Sequence, residues 1–187
     1  MKVSQQIVGV NQRLGNTAVP NMQGTTRVIF DTNQLTTAAT DQTLTFFSGV
    51  SSRPYPLSNI SNNRFEVGES LAIQGFVLFN YVTATPTLAT ALSATPTISA
   101  AIVNFYIGNQ RVCKDLEIGT YSRFGIGESV SQSVENLIFR FETPIVIPPQ
   151  IEFSANLRLS STIGLSGNSI VLAAFGTGTL LNTKSNF

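Results

Sequence analysis

Apolar and polar positions alternate along much of this chain with a period of two, the spacing of a strand whose two faces meet different surroundings. Residues 151–159 (IEFSANLRL) show it best. Ile151, Phe153, Ala155, Leu157 and Leu159 fall on one side; Glu152, Ser154, Asn156 and Arg158 fall on the other. Strict alternation over this length predicts a strand with one wet face. Within 136–142 (NLIFRFE), Leu137, Phe139 and Phe141 alternate against Ile138, Arg140 and Glu142. Other segments are apolar almost throughout. Residues 71–82 (LAIQGFVLFNYV) read as a long strand covered on both faces, 169–175 (SIVLAAF) as another buried strand, and 98–107 (ISAAIVNFYI) as a further strand. Gly75, inside the first of these, marks a bulge or bend. Two shorter runs, 26–31 (TRVIFD) and 43–48 (TLTFFS), complete the set.

Helical spacing is scarce. Residues 128–137 (ESVSQSVENL) allow one short helix or turn, and 88–92 a single helical turn. Seven or eight strands between Gly/Pro/Asn-rich turns predict an all-β fold, a single jelly roll built as a two-sheet antiparallel sandwich. Parallel strands would need crossover helices, which the pattern lacks. Residues 53–59 (RPYPLSN) form a loop with two prolines, and Pro144, Pro148 and Pro149 flank 145–147. Proline at such positions blocks ladder pairing and protects an edge. Residues 83–97 are low-complexity Thr/Ala/Pro and read as an exposed connection between two long strands. Gly176 and Gly178 are expected to loosen a C-terminal tail. Residues 1–24 read as an extended N-terminal arm ahead of a domain spanning 25–187. Lys2, Arg13 and Arg27 all precede the first acid, Asp31, so the start of the chain is basic.

Composition sharpens this picture. Charged residues make up 11% of the 187, against about 25% in an ordinary soluble domain. Lys plus Arg is 11 and Asp plus Glu is 10, a net charge of +1, while Ser, Thr and Asn number 19, 21 and 15. A hydrophobic content of 42% supports a real core. A surface so poor in charge suits a protein packed against copies of itself. No apolar run approaches about 18 residues, so no transmembrane helix is expected. Residues 1–12 do not resemble a secretory signal. The single cysteine, Cys113, is compatible with a reducing compartment.

The same composition narrows the chemistry. Histidine is absent, which removes Ser-His-Asp and Cys-His machinery and any imidazole metal ligand. One cysteine excludes an intrachain disulfide and a thiolate zinc cage. No catalytic, cofactor-binding or metal-binding residue is therefore predicted, and no enzyme activity. Residues 125–128 (GIGE) lack the rest of a phosphate loop, and 164–168 (GLSGN) depart from a nucleophile elbow at the fifth position. Glu66 and Glu69 flank Gly68 and are the pair on which a hydrolase would have to be built. The three aspartates, Asp31, Asp41 and Asp115, are too scattered for a loop-type calcium site, so the pair reads as solvated acids on a turn. Arg111, Lys114 and Arg123 stand among Asp115, Glu117 and Glu128, and mixed signs predict salt bridges or subunit contacts. Tyr55, between two prolines, is the tyrosine expected to be exposed, and most of the thirteen phenylalanines are expected in the core.

Two stretches carry a resemblance. Residues 43–80 (TLTFFSGVSSRPYPLSNISNNRFEVGESLAIQGFVLFN) run from a short strand through a Pro/Asn loop and a Gly-Glu turn into a long buried strand. Residues 141–159 (FETPIVIPPQIEFSANLRL) have the style of a late strand pair. Over about half the chain, this is similar to the capsid proteins of tailless icosahedral bacteriophages, the membrane-containing ones most of all. The resemblance implies a structural virion protein, a jelly-roll capsid subunit assembled in the host cytoplasm. Its partners would be copies of itself and other capsid proteins, with no small-molecule substrate and no cofactor. The three basic side chains that open the chain, Lys2 and Arg13 of the arm and Arg27 just past it, would give only a weak, salt-sensitive contact with genome or internal membrane. The usual large block of such shells is a double jelly roll, and 187 residues leave little room for one. A single jelly roll leaves main shell protein and minor vertex protein both open. Expected assembly contacts are Lys2 and Arg13 in the arm and Arg53, Tyr55 and Arg64 in the loop. The alternative is a decoration, spike or receptor-binding jelly roll that recognises glycans.

Overall fold

The computed structural model describes residues 22–35, 40–49, 53–81, 101–117, 138–161 and 169–181. Lys2, Arg13, Arg123, Glu128, the Thr/Ala/Pro connection and the expected short helix lie outside the described residues. Eight strands make up the described structure: β1 Met22–Gln34, β2 Thr40–Phe46, β3 Ser70–Tyr81, β4 Ala101–Ile107, β5 Gln110–Glu117, β6 Ile138–Ile147, β7 Phe153–Ser161 and β8 Ser169–Leu181. They form two four-stranded sheets, ordered β1-β8-β3-β6 and β2-β7-β4-β5. Every pairing is antiparallel. The protein is thus an all-β sandwich. The pairs β1–β8, β2–β7, β3–β6 and β4–β5 are nested. Two further pairings, β3–β8 and β4–β7, join them into the two sheets.

The core lies between the sheets. Leu71, Ile73, Phe76 and Leu78 of β3 meet Ile170, Leu172 and Ala174 of β8 on one inner face. Leu44 and Phe46 of β2, Val103 and Phe105 of β4, and Phe153, Ala155, Leu157 and Leu159 of β7 form the other. Six phenylalanines run through this space as a chain of ring contacts. Phe65 meets Phe153 at 5.1 Å, Phe153 meets Phe105 at 6.2 Å, Phe105 meets Phe76 at 5.5 Å, Phe76 meets Phe141 at 5.3 Å, and Phe141 meets Phe139 at 5.4 Å. Rings at such spacings add edge-to-face and offset attraction to the area they bury.

The strand alternation read from 151–159 is realised in β7. Phe153, Ala155, Leu157 and Leu159 are buried, and Arg158 is exposed. Gly75 does mark a bulge: the register of β3 against both neighbours shifts between Ile73 and Gly75. A Cβ at Gly75 would run into the Phe139 carbonyl and the Phe175 ring. Proline meets an edge as expected, since β6, which contains Pro144, is the outer strand of its sheet.

Four features differ from the sequence reading. β5 (QRVCKDLE) was not expected, because only Cys113 is buried along it and the charged residues mask any alternation. β6 continues through Pro144 to Ile147 instead of ending at Glu142. β1 begins at Met22, so the last residues assigned to the arm belong to a strand. Gly176 and Gly178 do not loosen a tail, because β8 runs on to Leu181. At Gly176 the backbone of β3 comes so close that a Cβ would collide with Ala72.

Candidate functional site

Three surfaces follow from this frame. The first is the connection between β2 and β3. It starts from Asp31, an acid in the middle of β1 that is fully buried. Its carboxylate accepts from the Thr32 N–H at 2.9 Å and from the Phe47 N–H at 2.6 Å. Arg53 closes on it with two bonds, Nε to Oδ1 at 2.8 Å and Nη2 to Oδ2 at 2.6 Å. The two-pronged geometry suits a planar guanidinium against a carboxylate. Nη2 also donates to the Ser48 carbonyl at 2.7 Å. Phe47 has a φ of 62°, a left-handed backbone that a bulky residue adopts only when its surroundings hold it. The Asp31 carboxylate and the packed ring of Phe47 supply that hold.

Farther along, the loop is sewn to β1. Asn59 Oδ1 accepts from the Phe30 N–H at 2.8 Å, and its Nδ2 donates to the Val28 carbonyl at 2.7 Å. The Asn59 N–H donates to the Phe30 carbonyl at 3.4 Å, and Ser58 Oγ donates to that same oxygen at 3.0 Å. Between these anchors a turn closed by Leu57 N–H to the Pro54 carbonyl, 2.9 Å, presents Tyr55. Tyr55 is 80% exposed, and the Tyr55–Pro56 peptide is cis. Phe65 ends the loop under Arg27, whose guanidinium carbon lies 4.6 Å from the ring centre and whose Nη1 reaches Glu69 at 3.1 Å.

The second surface is the outer face of the β2-β7-β4-β5 sheet. It is polar. Thr45 Oγ1 donates to Asn156 Oδ1 at 3.2 Å. Asn104 Oδ1 accepts from the Asp115 N–H at 2.9 Å and from Arg111 at 3.5 Å. Arg158 and Asp41 form a two-bond ion pair at one end of the face. Arg158 holds the Asp41 carboxyl below its usual range, chiefly through that hydrogen bond. Beneath the face, burial pushes the Cys113 thiol up, with the neighbouring Asp115 charge adding to it.

The third surface is the outer face of the β1-β8-β3-β6 sheet. Ala72 and Val77 of β3 and Val171 and Ala173 of β8 stand outside the inter-sheet core and are nonetheless buried. Val28 of β1 is 47% exposed, and Arg140 lies over the Phe175 ring at 5.5 Å.

The sequence-derived candidates separate on this structure. Tyr55 and Arg64 are exposed on the loop. Arg53 belongs to the same loop, but its guanidinium is turned inward onto Asp31. Glu66 and Glu69 are joined only by a turn, Glu69 N–H to the Glu66 carbonyl at 3.0 Å, and Glu69 faces Arg27. Arg111 and Lys114 make no ion pair with Asp115 or Glu117; the ion pairs among the described residues are Arg27–Glu69, Arg53–Asp31 and Arg158–Asp41. Sequence reasoning missed the roles of Asp31 and Asn59. The only signal for Asp31 was an acid closing the apolar run 26–31. No family model matches the chain, and neither the curated proteins nor the solved structures give a match.

Proposed function

We propose that this protein is a single jelly-roll subunit that assembles with copies of itself into the icosahedral shell of a bacteriophage. The observation that carries the reading is the nested strand order. Pairs 1–8, 2–7, 3–6 and 4–5 are what a long eight-strand hairpin makes, and rolling it up brings 3 against 8 and 4 against 7. Such a subunit is stiff, because side chains from both sheets interlock between them. Its surface chemistry supports crowding: with 11% charged residues and a net charge of +1, copies repel one another little. The contacts come from the β2–β3 loop, where Tyr55 and Arg64 meet a neighbour and Arg53 fixes the loop from within. Further contacts come from the N-terminal arm with Lys2 and Arg13.

Light scattering coupled to size exclusion, with negative-stain microscopy of the same fractions, tests the reading. Shells, sheets or rings of five or six copies are expected. A monomer or trimer at every concentration and salt would overturn it and favour a decoration or receptor-binding module. Deleting residues 2–20 should leave a folded domain that assembles poorly.

A further inference from the structure

The polar outer face of the β2-β7-β4-β5 sheet holds hydrogen-bonding groups that the fold does not use. Register sets Asn104 of β4 opposite Asn156 of β7, and Tyr106 opposite Ser154. The side-chain carbonyls of both amides are engaged, Asn156 by Thr45 and Asn104 by the Asp115 N–H. Those bonds fix the amide planes and leave both Nδ2 groups without an acceptor among the described residues. Arg111, the register partner of Tyr106, is in no ion pair there either.

Charge also varies along this face. The Arg158–Asp41 pair and Glu117 align with Ile102. Ile102 is four residues along β4 from Tyr106, about 13 Å at strand rise. Asp115 lies between, beside Asn104. One end of the face therefore carries two acids and one base, of which Asp41 and Arg158 are paired with each other. The other offers an aromatic ring, two amide donors and the Arg111 guanidinium, which bonds Asn104 Oδ1 at 3.5 Å but is in no ion pair among the described residues, with the exposed Glu152 just ahead of β7.

We propose that this second end binds an oligosaccharide bearing a carboxylate. A sugar ring stacks on Tyr106, its hydroxyls accept from Asn104 and Asn156, and Arg111 takes the carboxylate through a two-pronged contact. Donors fixed on strands bind without the cost of ordering a loop. The proposal does not rest on assembly into a shell, since a shell subunit and a free module can both display the face.

The test uses the full chain against immobilised sialylated and uronate-containing oligosaccharides, each beside its neutral counterpart. Acidic members should be retained over neutral ones. Asn104→Ala and Asn156→Ala should each weaken binding by about tenfold. Arg111→Ala should abolish the preference for acidic sugars, and Tyr55→Ala should change nothing. On the unmodified protein, 3′-sialyllactose should slow hydrogen exchange in 101–111 and 153–158, which keeps the test valid if a variant fails to fold. Retention of no panel member at millimolar concentration, loss of binding with Tyr55→Ala alone, or protection confined to other segments would overturn the proposal.

Discussion

The two sheets share one core and differ on their outer faces. On the β2-β7-β4-β5 sheet, β7 alternates strictly, so what lies outside is Ser154, Asn156 and Arg158. On the β1-β8-β3-β6 sheet the central strands β3 and β8 carry apolar residues on both sides, and Ala72, Val77, Val171 and Ala173 are buried without belonging to the core between the sheets, beside the Gln74–Thr177 hydrogen bond. Both sheets are antiparallel, so strand direction does not cause the contrast. Side-chain choice does. Small and branched apolar residues make a face suited to being covered, while amides, hydroxyls and paired charges make one suited to water or a polar ligand.

That contrast can be broken at graded cost. The inner faces should respond alike, whichever sheet is cut. Phe105→Ala removes the ring that links Phe153 to Phe76 and should cost about 3–5 kcal/mol in urea unfolding. Phe76→Ala, from the opposite sheet, should fall in the same range; a much smaller loss would mean that the sheets are not equally committed to the core. Next comes Asp31→Ala, which strands Arg53 and leaves the Phe47 and Thr32 N–H groups without their acceptor. It should cost about 3 kcal/mol, toward the lower end for a broken buried pair, because Arg53 is 20% exposed and can turn to water.

The outer faces should then diverge. Ala173→Asp buries a carboxylate on the apolar face and should cost about 1–3 kcal/mol, whereas Ser154→Asp on the polar face should stay within about 0.5 kcal/mol. Equal melting temperatures for these two variants would erase the distinction between the faces. The smallest effect belongs to the Asp41–Arg158 pair, which is solvent-exposed. Because Asp41 titrates below its unfolded value, its contribution is present above the ordinary aspartate range and fades as pH falls through the lowered folded value. Arg158→Gln should remove that part of the acid-side slope, and added salt should shrink it in the wild type.

The two-sheet fold was legible wherever burial and alternation coincide. β7 read itself out, and β3 was located almost to the residue, including the bulge at Gly75. β5 was hidden because it is an edge strand with only Cys113 buried. Beyond Phe175, β8 was hidden because its glycines looked like looseness, when Gly176 lets Ala72 of β3 approach and Gly178 leaves room for the Arg27 side chain of β1. Tyr55 was legible as exposed because flanking prolines keep a ring out of any ladder. The Asn104–Asn156 row was not. Those residues are far apart in the chain, and only the β4–β7 register brings them together. The clamp at Asp31 was equally invisible, since its partners Phe47 and Arg53 lie on different segments.

The stitching of Asn59 onto β1 also removes one way in which a further strand could add to the sheet. An open strand edge is an invitation to endless addition of identical strands, the route to fibres and amorphous aggregates. Along β1 the Val28 carbonyl and the Phe30 N–H and carbonyl are taken by Asn59, and the Thr32 N–H is taken by Asp31. From Val28 to Thr32 a second chain finds these backbone groups already taken. Copies that met along this stretch would do so through side chains and faces, whose geometry sets a definite angle between neighbours, and a fixed angle is what lets an assembly close on itself.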